Sequence, residues 1–243
     1  MTTLARVIRN TPTRGLQAYF DGRGYFTGRE RKNSAAARPA TFLLREVEEL
    51  ADGEQSAILA DFERIQEMTD ESGQWAILHA MADRSLLEER SNPYERAMWL
   101  FLNDPEAFRR AEEMRYTDTR RQGRMWSGFV GPPNLAPSRE VEDHRRFEER
   151  VRIMFGSRNA RLDLFERNRP GRNSRVERVV QAVIYRDGLP DASLEFNVAG
   201  ELELRPRRPV FELAITYEPE SGVIEVVAQG VEHRARLARL FAE

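Results

Sequence analysis

The feature that most constrains the fold of this chain is an alternating stretch over residues 208–228. Large apolar residues stand at every second position from Phe211 to Tyr217, with polar or small residues between them. A period of two places such apolar side chains on one face of a β-strand. Residues 218–222 contain a proline and a glycine, and the β-branched run 223–228 follows. The pattern predicts a β-hairpin, which needs other strands or helices to cover its apolar face because an isolated hairpin is only marginally stable.

The polar residues of this hairpin include several glutamates. Glu212 and Glu225 stand between apolar positions, and Glu218 and Glu220 stand in the turn. Catalytic carboxylates need partners that perturb their pKa values, and no histidine or lysine lies close to these four in the sequence. We therefore predict that Glu212 and Glu225 belong to a solvated face of the sheet, opposite a core face formed by the residues from Phe211 to Tyr217.

Further strands and helices define the fold class. The segments 160–166, 176–185, 194–198 and 201–204 show the same period and are separated by short turns, which indicates an antiparallel sheet. The final segment, 232–243, has the spacing of a short amphipathic helix. The prediction is an α+β protein, with a helical N-terminal region followed by an antiparallel β-sheet with a C-terminal helix.

Three segments are predicted along the chain. Residues 1–40 are basic and rich in glycine, so we predict a loop-rich N-terminal segment. Residues 41–155 carry apolar residues at helical spacing, with helix-start signals at Asn92-Pro93 and Asp104-Pro105, and form a predicted α-helical region. Residues 156–243 form the predicted antiparallel β-sheet domain with its C-terminal helix. Within the helical region, residues 116–137 show no period and are predicted to be a long loop.

Composition excludes several classes of function. The 243 residues contain no cysteine, which removes disulfides, thiol nucleophiles and cysteine-ligated metals. Lys32 is the only lysine, which counts against Schiff-base chemistry. The 38 basic and 40 acidic residues nearly balance, and no apolar run approaches the roughly 20 residues that span a bilayer. We predict a soluble, cytoplasmic protein that does not contact a membrane and has no cofactor.

Histidine offers only a weak catalytic candidate. His144 has Glu148 four residues later, so the two side chains share one face of a predicted helix. His144 also lies on the apolar side of that helix, where a half-buried, hydrogen-bonded histidine is the ordinary structure. His79, which lies between Trp75 and Ala82, has the same interpretation. No metal site is predicted, because the histidines do not converge with other ligands at metal-binding spacings.

Two segments combine arginine with aromatic residues and are the predicted binding segments. The first 40 residues hold eight basic and two acidic residues together with tyrosine and phenylalanine, and the second segment is 115–129. Arginine beside aromatic rings suits nucleic-acid backbones and bases, and it suits protein interfaces equally well. The candidate binding residues are Arg29, Arg31, Arg115, Tyr116, Arg120, Arg121, Arg124 and Trp126.

The acidic segment 44–71 offers a partner for these arginines within the same chain. It holds ten acidic and two basic residues. The basic segments can therefore dock intramolecularly, pair with another copy, or bind a separate protein or a nucleic acid. The favoured function is a non-enzymatic interaction or regulatory component of a cytoplasmic protein assembly. Nucleic-acid binding through the arginines, and hydrolysis at His144 and Glu148, are the two alternatives.

Overall fold

Two compact units make up the chain, Met1–Thr119 and Arg120–Glu243. The computed structural model describes residues 2–25, 40–171, 175–197 and 199–243. Within these ranges the first unit is helical, and the second combines antiparallel strands with two helices, the last of which is C-terminal. The predicted α+β class is therefore confirmed.

The described part of the first unit is built almost entirely from helices. No helix within the described ranges combines the length and the apolar character needed to cross a membrane. The helices are α1 (Thr3–Asn10), α2 (Thr13–Gly22), α3 (Ala40–Glu48), α4 (Asp52–Glu67), α5 (Glu71–Ala80), α6 (Ser85–Glu88), α7 (Pro93–Asn103) and α8 (Pro105–Arg120).

The helix starts predicted at Asn92 and Asp104 are confirmed. The Asn92 side chain accepts hydrogen bonds from the Tyr94 and Glu95 amides, at 2.8 and 3.3 Å, and Pro93 occupies the first turn of α7. The Asp104 carboxylate accepts from the Ala107 amide at 2.9 Å. Each cap satisfies amide groups that have no partner inside the helix, which fixes where α7 and α8 begin.

Part of the predicted loop-rich segment, residues 3–22, is helical, whereas residues 26–39 of the same segment lie outside the described residues. Helices α1 and α2 occupy most of residues 3–22, and Val7, Ile8, Tyr19 and Phe20 are buried. The Tyr19 ring packs against Phe62 of α4 with the ring centroids 5.0 Å apart. Basic residues on the exposed side of these helices lie between the apolar positions, so the helical spacing was not recognised in the sequence.

The described residues of the second unit form a five-stranded antiparallel sheet, two helices and a separate two-stranded hairpin. The order across the main sheet is β1-β7-β6-β3-β2, and β4 pairs with β5. The elements are β1 (Trp126–Val130), α9 (Val141–Phe155), β2 (Ala160–Pro170), β3 (Val176–Asp187), β4 (Asp191–Phe196), β5 (Leu202–Arg207), β6 (Val210–Glu218), β7 (Val223–Val227) and α10 (Val231–Ala242).

The predicted hairpin is present as β6 and β7, and it carries much of the core of this unit. Leu213, Ile215 and Tyr217 are buried on the face that α9 and α10 cover. Phe211, which we predicted on the core face, is instead 43% exposed and lies against the Arg186 guanidinium, 4.9 Å from the ring centre. The core face therefore begins at Leu213.

The opposite face of the sheet is not the solvated surface that we predicted. Glu225 is only 6% exposed, and its carboxylate accepts hydrogen bonds from Arg169 and, at 2.9 Å, from Arg121. Glu177 also pairs with Arg169, at 3.0 Å, and Glu212 is half-buried. A buried carboxylate requires such partners because desolvation of an unpaired charge is costly. The prediction that Glu225 is solvated was wrong because the pairing arginine comes from a distant strand.

The boundary between the units also lies earlier than the predicted change at residue 156. Helix α8 continues to Arg120, and β1 lies within the segment that we predicted to be a loop. Strand β1 adds to the edge of the sheet by pairing Trp126 with Val227 and Phe129 with Ile224. This segment and α9 therefore belong to the sheet unit.

Candidate interaction surface

The hairpin formed by β4 and β5 is the most unusual surface of the second unit. It connects β3 to β6, and its two strands form a separate sheet among the described strands. Across the hairpin, Leu194 pairs with Leu204 and Phe196 pairs with Leu202. Because alternate residues of a strand point to the same face, these four side chains share one face.

This face, which we call the apolar hairpin face, is exposed. The side chains of Leu194, Phe196, Leu202 and Leu204 are between 61 and 70% exposed. Ala192 and Pro206 pair at the other end of the same face, so the side chains along it contain no hydrogen-bonding group. Large apolar residues grouped in this way on a surface indicate an interaction site, whereas single scattered leucines are normal on a protein surface.

The opposite face of the hairpin is charged and largely neutralised. Glu195 and Glu203 lie directly across from each other, and the Arg205 guanidinium lies 3.6 and 3.8 Å from their carboxylates. Arg207 lies 3.7 Å from Asp191 on the same face. The arginines offset the repulsion that facing glutamates would otherwise produce. The hairpin is therefore amphipathic, with its charges paired on one side and its apolar residues uncovered on the other.

Sequence reasoning found these strands but missed the surface. Alternation at Leu194 and Phe196 predicted a strand, and we placed it in one continuous sheet with its neighbours. The available signal was the second alternating run, Leu202 and Leu204, which stands directly after a turn and mirrors the first. No sequence pattern reports whether an apolar face is covered, because that depends on where other elements pack.

The predicted binding residue Arg115 is used within the first unit. Its guanidinium donates to the Asp70 carboxylate at 2.7 Å and lies 3.4 Å from Glu67. These carboxylates belong to the acidic segment 44–71, so intramolecular docking of the arginine is confirmed for this residue. Asp70 also caps α5 by accepting from the Gly73 amide at 2.7 Å. The hydrogen bond from Arg115 lowers the pKa of Asp70 below its usual value.

We expect Arg115→Gln to reduce the free energy of unfolding modestly, by about 0.5–1 kcal/mol at neutral pH, because the ion pair is partly solvated. Because the pKa of Asp70 is lowered in the folded state, the ion pair stabilises the fold at pH values above the unfolded-state pKa of about 3.9. This stabilisation is lost as the pH falls through the folded-state pKa of Asp70. Urea unfolding of both proteins should thus show a difference at pH 7 that shrinks in acid. A constant difference across this range would contradict the assignment.

The other predicted binding residues belong partly to each unit and partly lie outside the described residues. Arg121 donates to Glu225 in the second unit, whereas Arg115 lies in the first. The indole of Trp126 lies across Gly128 and is half-buried, and its nitrogen has no hydrogen-bond partner among the described residues. Tyr116 and Arg120 lie at the end of α8, Arg124 is exposed beyond it, and Arg29 and Arg31 lie outside the described residues.

The weak catalytic candidates serve local structure. The Nε2 atom of His144 donates to the Ser138 carbonyl at 3.0 Å, and a Glu148 carboxylate oxygen accepts from the Leu162 amide at 2.8 Å. His144 is half-buried, as expected. His79 is also half-buried: it stacks on Trp75 at 3.8 Å, and its Nδ1 atom lies 2.8 Å from the Trp75 carbonyl oxygen. In the part of the chain that the structure describes, histidine and carboxylate side chains form no group of three that could hold a metal ion.

Comparison with known proteins found no matching family model, no matching curated protein and no matching solved structure.

Proposed function

We propose that this chain is a non-enzymatic interaction component that associates with a second copy of itself through the apolar hairpin face. The single observation that carries the proposal is the uncovered row of Leu194, Phe196, Leu202 and Leu204 on one face of a hairpin. A two-stranded hairpin is marginal in water and gains stability when its apolar face is covered.

The size of the surface fits a homodimer. Three leucines and one phenylalanine at about two-thirds exposure present on the order of 500 Å² of apolar area per copy. A standard interface buries about 800 Å² per partner, of which about 65% is apolar in homodimers. The apolar hairpin face therefore matches the apolar core of such an interface, and polar residues around it would supply the rim.

Charge also favours a second copy over a partner of opposite charge. The carboxylates of Asp191, Glu195 and Glu203 are paired with two arginines on the far side of the hairpin. The hairpin thus offers no strong field to attract an acidic or a basic protein. Two copies can approach without repulsion, and one apolar face is complementary to the same face across a two-fold axis.

The expected arrangement is face to face. Two hairpins would pack their apolar faces about 10 Å apart, as two sheets do in a sandwich. Pairing along the edge of β5 is less favourable, because Pro206 interrupts its row of backbone donors. From the sequence we predicted that the arginine segments form the interaction surface. We propose the apolar hairpin face instead, because Arg115 and Arg121 already bind carboxylates within the chain.

Sedimentation velocity over a concentration series tests the proposal. We expect the full chain to form a dimer and Leu204→Glu to weaken it by at least about thirtyfold in Kd, because the substitution buries a charge in the interface centre. The matched control is Ser193→Glu, which adds the same charge to the polar face of the partner strand and should leave the dimer intact. A wild-type protein that stays monomeric throughout, or equal weakening by both variants, would contradict the proposal.

A further inference from the structure

A cavity in the second unit lies apart from the apolar hairpin face. It has a volume of about 560 Å³ and is bounded by α9, α10, the segment 131–138 and the sheet. None of its lining residues belongs to the hairpin of β4 and β5. The volume falls within the range of about 300–1,000 Å³ that is usual for small-molecule sites.

The floor of the cavity is apolar. Leu162 and Leu164 of β2 and Ile224 of β7 line it from the sheet, and Phe147 and Phe241 line it from the two helices. The Phe147 and Phe241 rings meet edge to face with centroids 6.5 Å apart. The cavity lies between these sheet residues and the two helices, so a hydrocarbon group can be buried there.

The wall formed by the segment 131–138 is held in place. The Tyr217 hydroxyl donates to the Pro132 carbonyl at 2.7 Å and accepts from the Leu135 amide at 3.0 Å. Tyr217 itself is anchored by its burial in the core beneath the helices. The cavity is therefore largely preformed, as is usual for ligand sites.

The rim carries charged groups, and Arg146 has spare hydrogen-bonding capacity. Arg150 is already paired with Glu243, and Asp143 accepts from the Ser138 hydroxyl at 2.6 Å. Among the described residues, the carboxylate oxygen paired with the Arg146 guanidinium is on Asp143 at 3.7 Å, which is too long for a hydrogen bond. A guanidinium in this state can bind a carboxylate through two parallel hydrogen bonds.

We propose that this cavity binds a small amphipathic carboxylate. The hydrocarbon part of the ligand would occupy the floor between Leu164 and Phe241, and its carboxylate would bind Arg146 at the rim. The apolar floor would select a ligand with a hydrocarbon chain. The arginine would distinguish an anion from a neutral molecule of the same length.

Isothermal titration calorimetry with octanoate and with octanol tests this proposal on the full chain. We expect saturable octanoate binding, weaker octanol binding, and about a tenfold loss of octanoate affinity in Arg146→Gln with no change for octanol. Arg145→Gln is the matched control, because Arg145 is the adjacent residue on α9, lies outside the cavity lining and should leave both affinities unchanged.

A second variant tests the apolar part of the site. Leu164→Trp should fill the floor and remove binding of both ligands, with unchanged circular dichroism as the check on folding. The absence of saturable octanoate binding to the wild-type protein would overturn the proposal. Equal affinities for octanoate and octanol, together with no effect of Arg146→Gln, would also overturn it. This second test does not depend on whether Leu164→Trp folds.

Discussion

Glu225→Ala is expected to reduce the free energy of unfolding of the second unit by about 2–3 kcal/mol, less than the roughly 3–5 kcal/mol lost when a buried charge is left with no partner. Glu225 is the shared acceptor of Arg121 and Arg169, and the Arg169 side chain is only 2% exposed. Alanine would remove this counter-charge from Arg169, which keeps Glu177 at 3.0 Å as a remaining partner, and from Arg121, which is 27% exposed.

Glu166→Ala is the matched control for this variant. Glu166 also binds two arginines, Arg139 and Arg178, but its side chain is 39% exposed. Exposed pairs contribute little, so its loss should cost less than about 1 kcal/mol. The two substitutions therefore compare the loss of a glutamate that pairs with two arginines in a buried site and in an exposed site.

Urea unfolding followed by tryptophan fluorescence measures both variants. Trp75 and Trp99 lie in the first unit, so Trp75→Phe and Trp99→Phe in the background leave Trp126 as a reporter of the second unit. If Glu225→Ala and Glu166→Ala were equally destabilising, the buried ion pairs around Arg169 would not stabilise the unit more than exposed ones do.

Gly222→Ala should destabilise the same unit by about 2–4 kcal/mol, from a left-handed backbone and a steric clash together. Gly222 closes the turn between β6 and β7 with φ of +73°. An added Cβ would contact the Gly131 carbonyl oxygen and lie 2.9 Å from the Pro133 nitrogen, and both are backbone atoms that cannot move aside easily. The amide of Gly131 also donates to the Gly222 carbonyl at 2.8 Å, so the clash would disturb a hydrogen bond.

Gly156→Ala measures the cost of the left-handed backbone without a steric clash. Gly156 ends α9 with φ of +61°, and a Cβ there would meet no described atom within 4 Å. Its substitution should cost only the conformational part, about 1–2 kcal/mol. The same fluorescence assay reports both variants, and a loss for Gly222→Ala no larger than that for Gly156→Ala would show that the clash is relieved at no cost.

Features set by neighbouring residues could be predicted from the sequence. The alternation from Phe211 to Tyr217 and the glycine at 222 are local, so β6, β7 and their turn were found. The starts of α7 and α8 were found for the same reason, because a cap residue lies next to the helix that it begins. The fold class follows from such local patterns.

The candidate site and the buried cluster depend on distant residues and could not be predicted in the same way. Arg169 reaches Glu225 only because β2, β3, β6 and β7 are neighbours in that order, and the two residues are 56 positions apart in the chain. A glutamate between apolar residues therefore looked solvated. The apolar hairpin face posed the converse problem, since alternation at Leu194 and Leu204 predicts strands but not whether their apolar side is covered.

Electron–electron dipolar spectroscopy tests the proposed self-association most directly. The native chain contains no cysteine, so Ser193→Cys places a single spin label on the polar face of the hairpin. With sheets about 10 Å apart and a label pointing outward from each, we expect one intermolecular distance on the order of 25 Å. At a protein concentration between the Kd values of the two proteins, the added substitution Leu204→Glu should abolish it. The absence of an intermolecular distance in Ser193→Cys, or its persistence with Leu204→Glu, would contradict association through the apolar hairpin face.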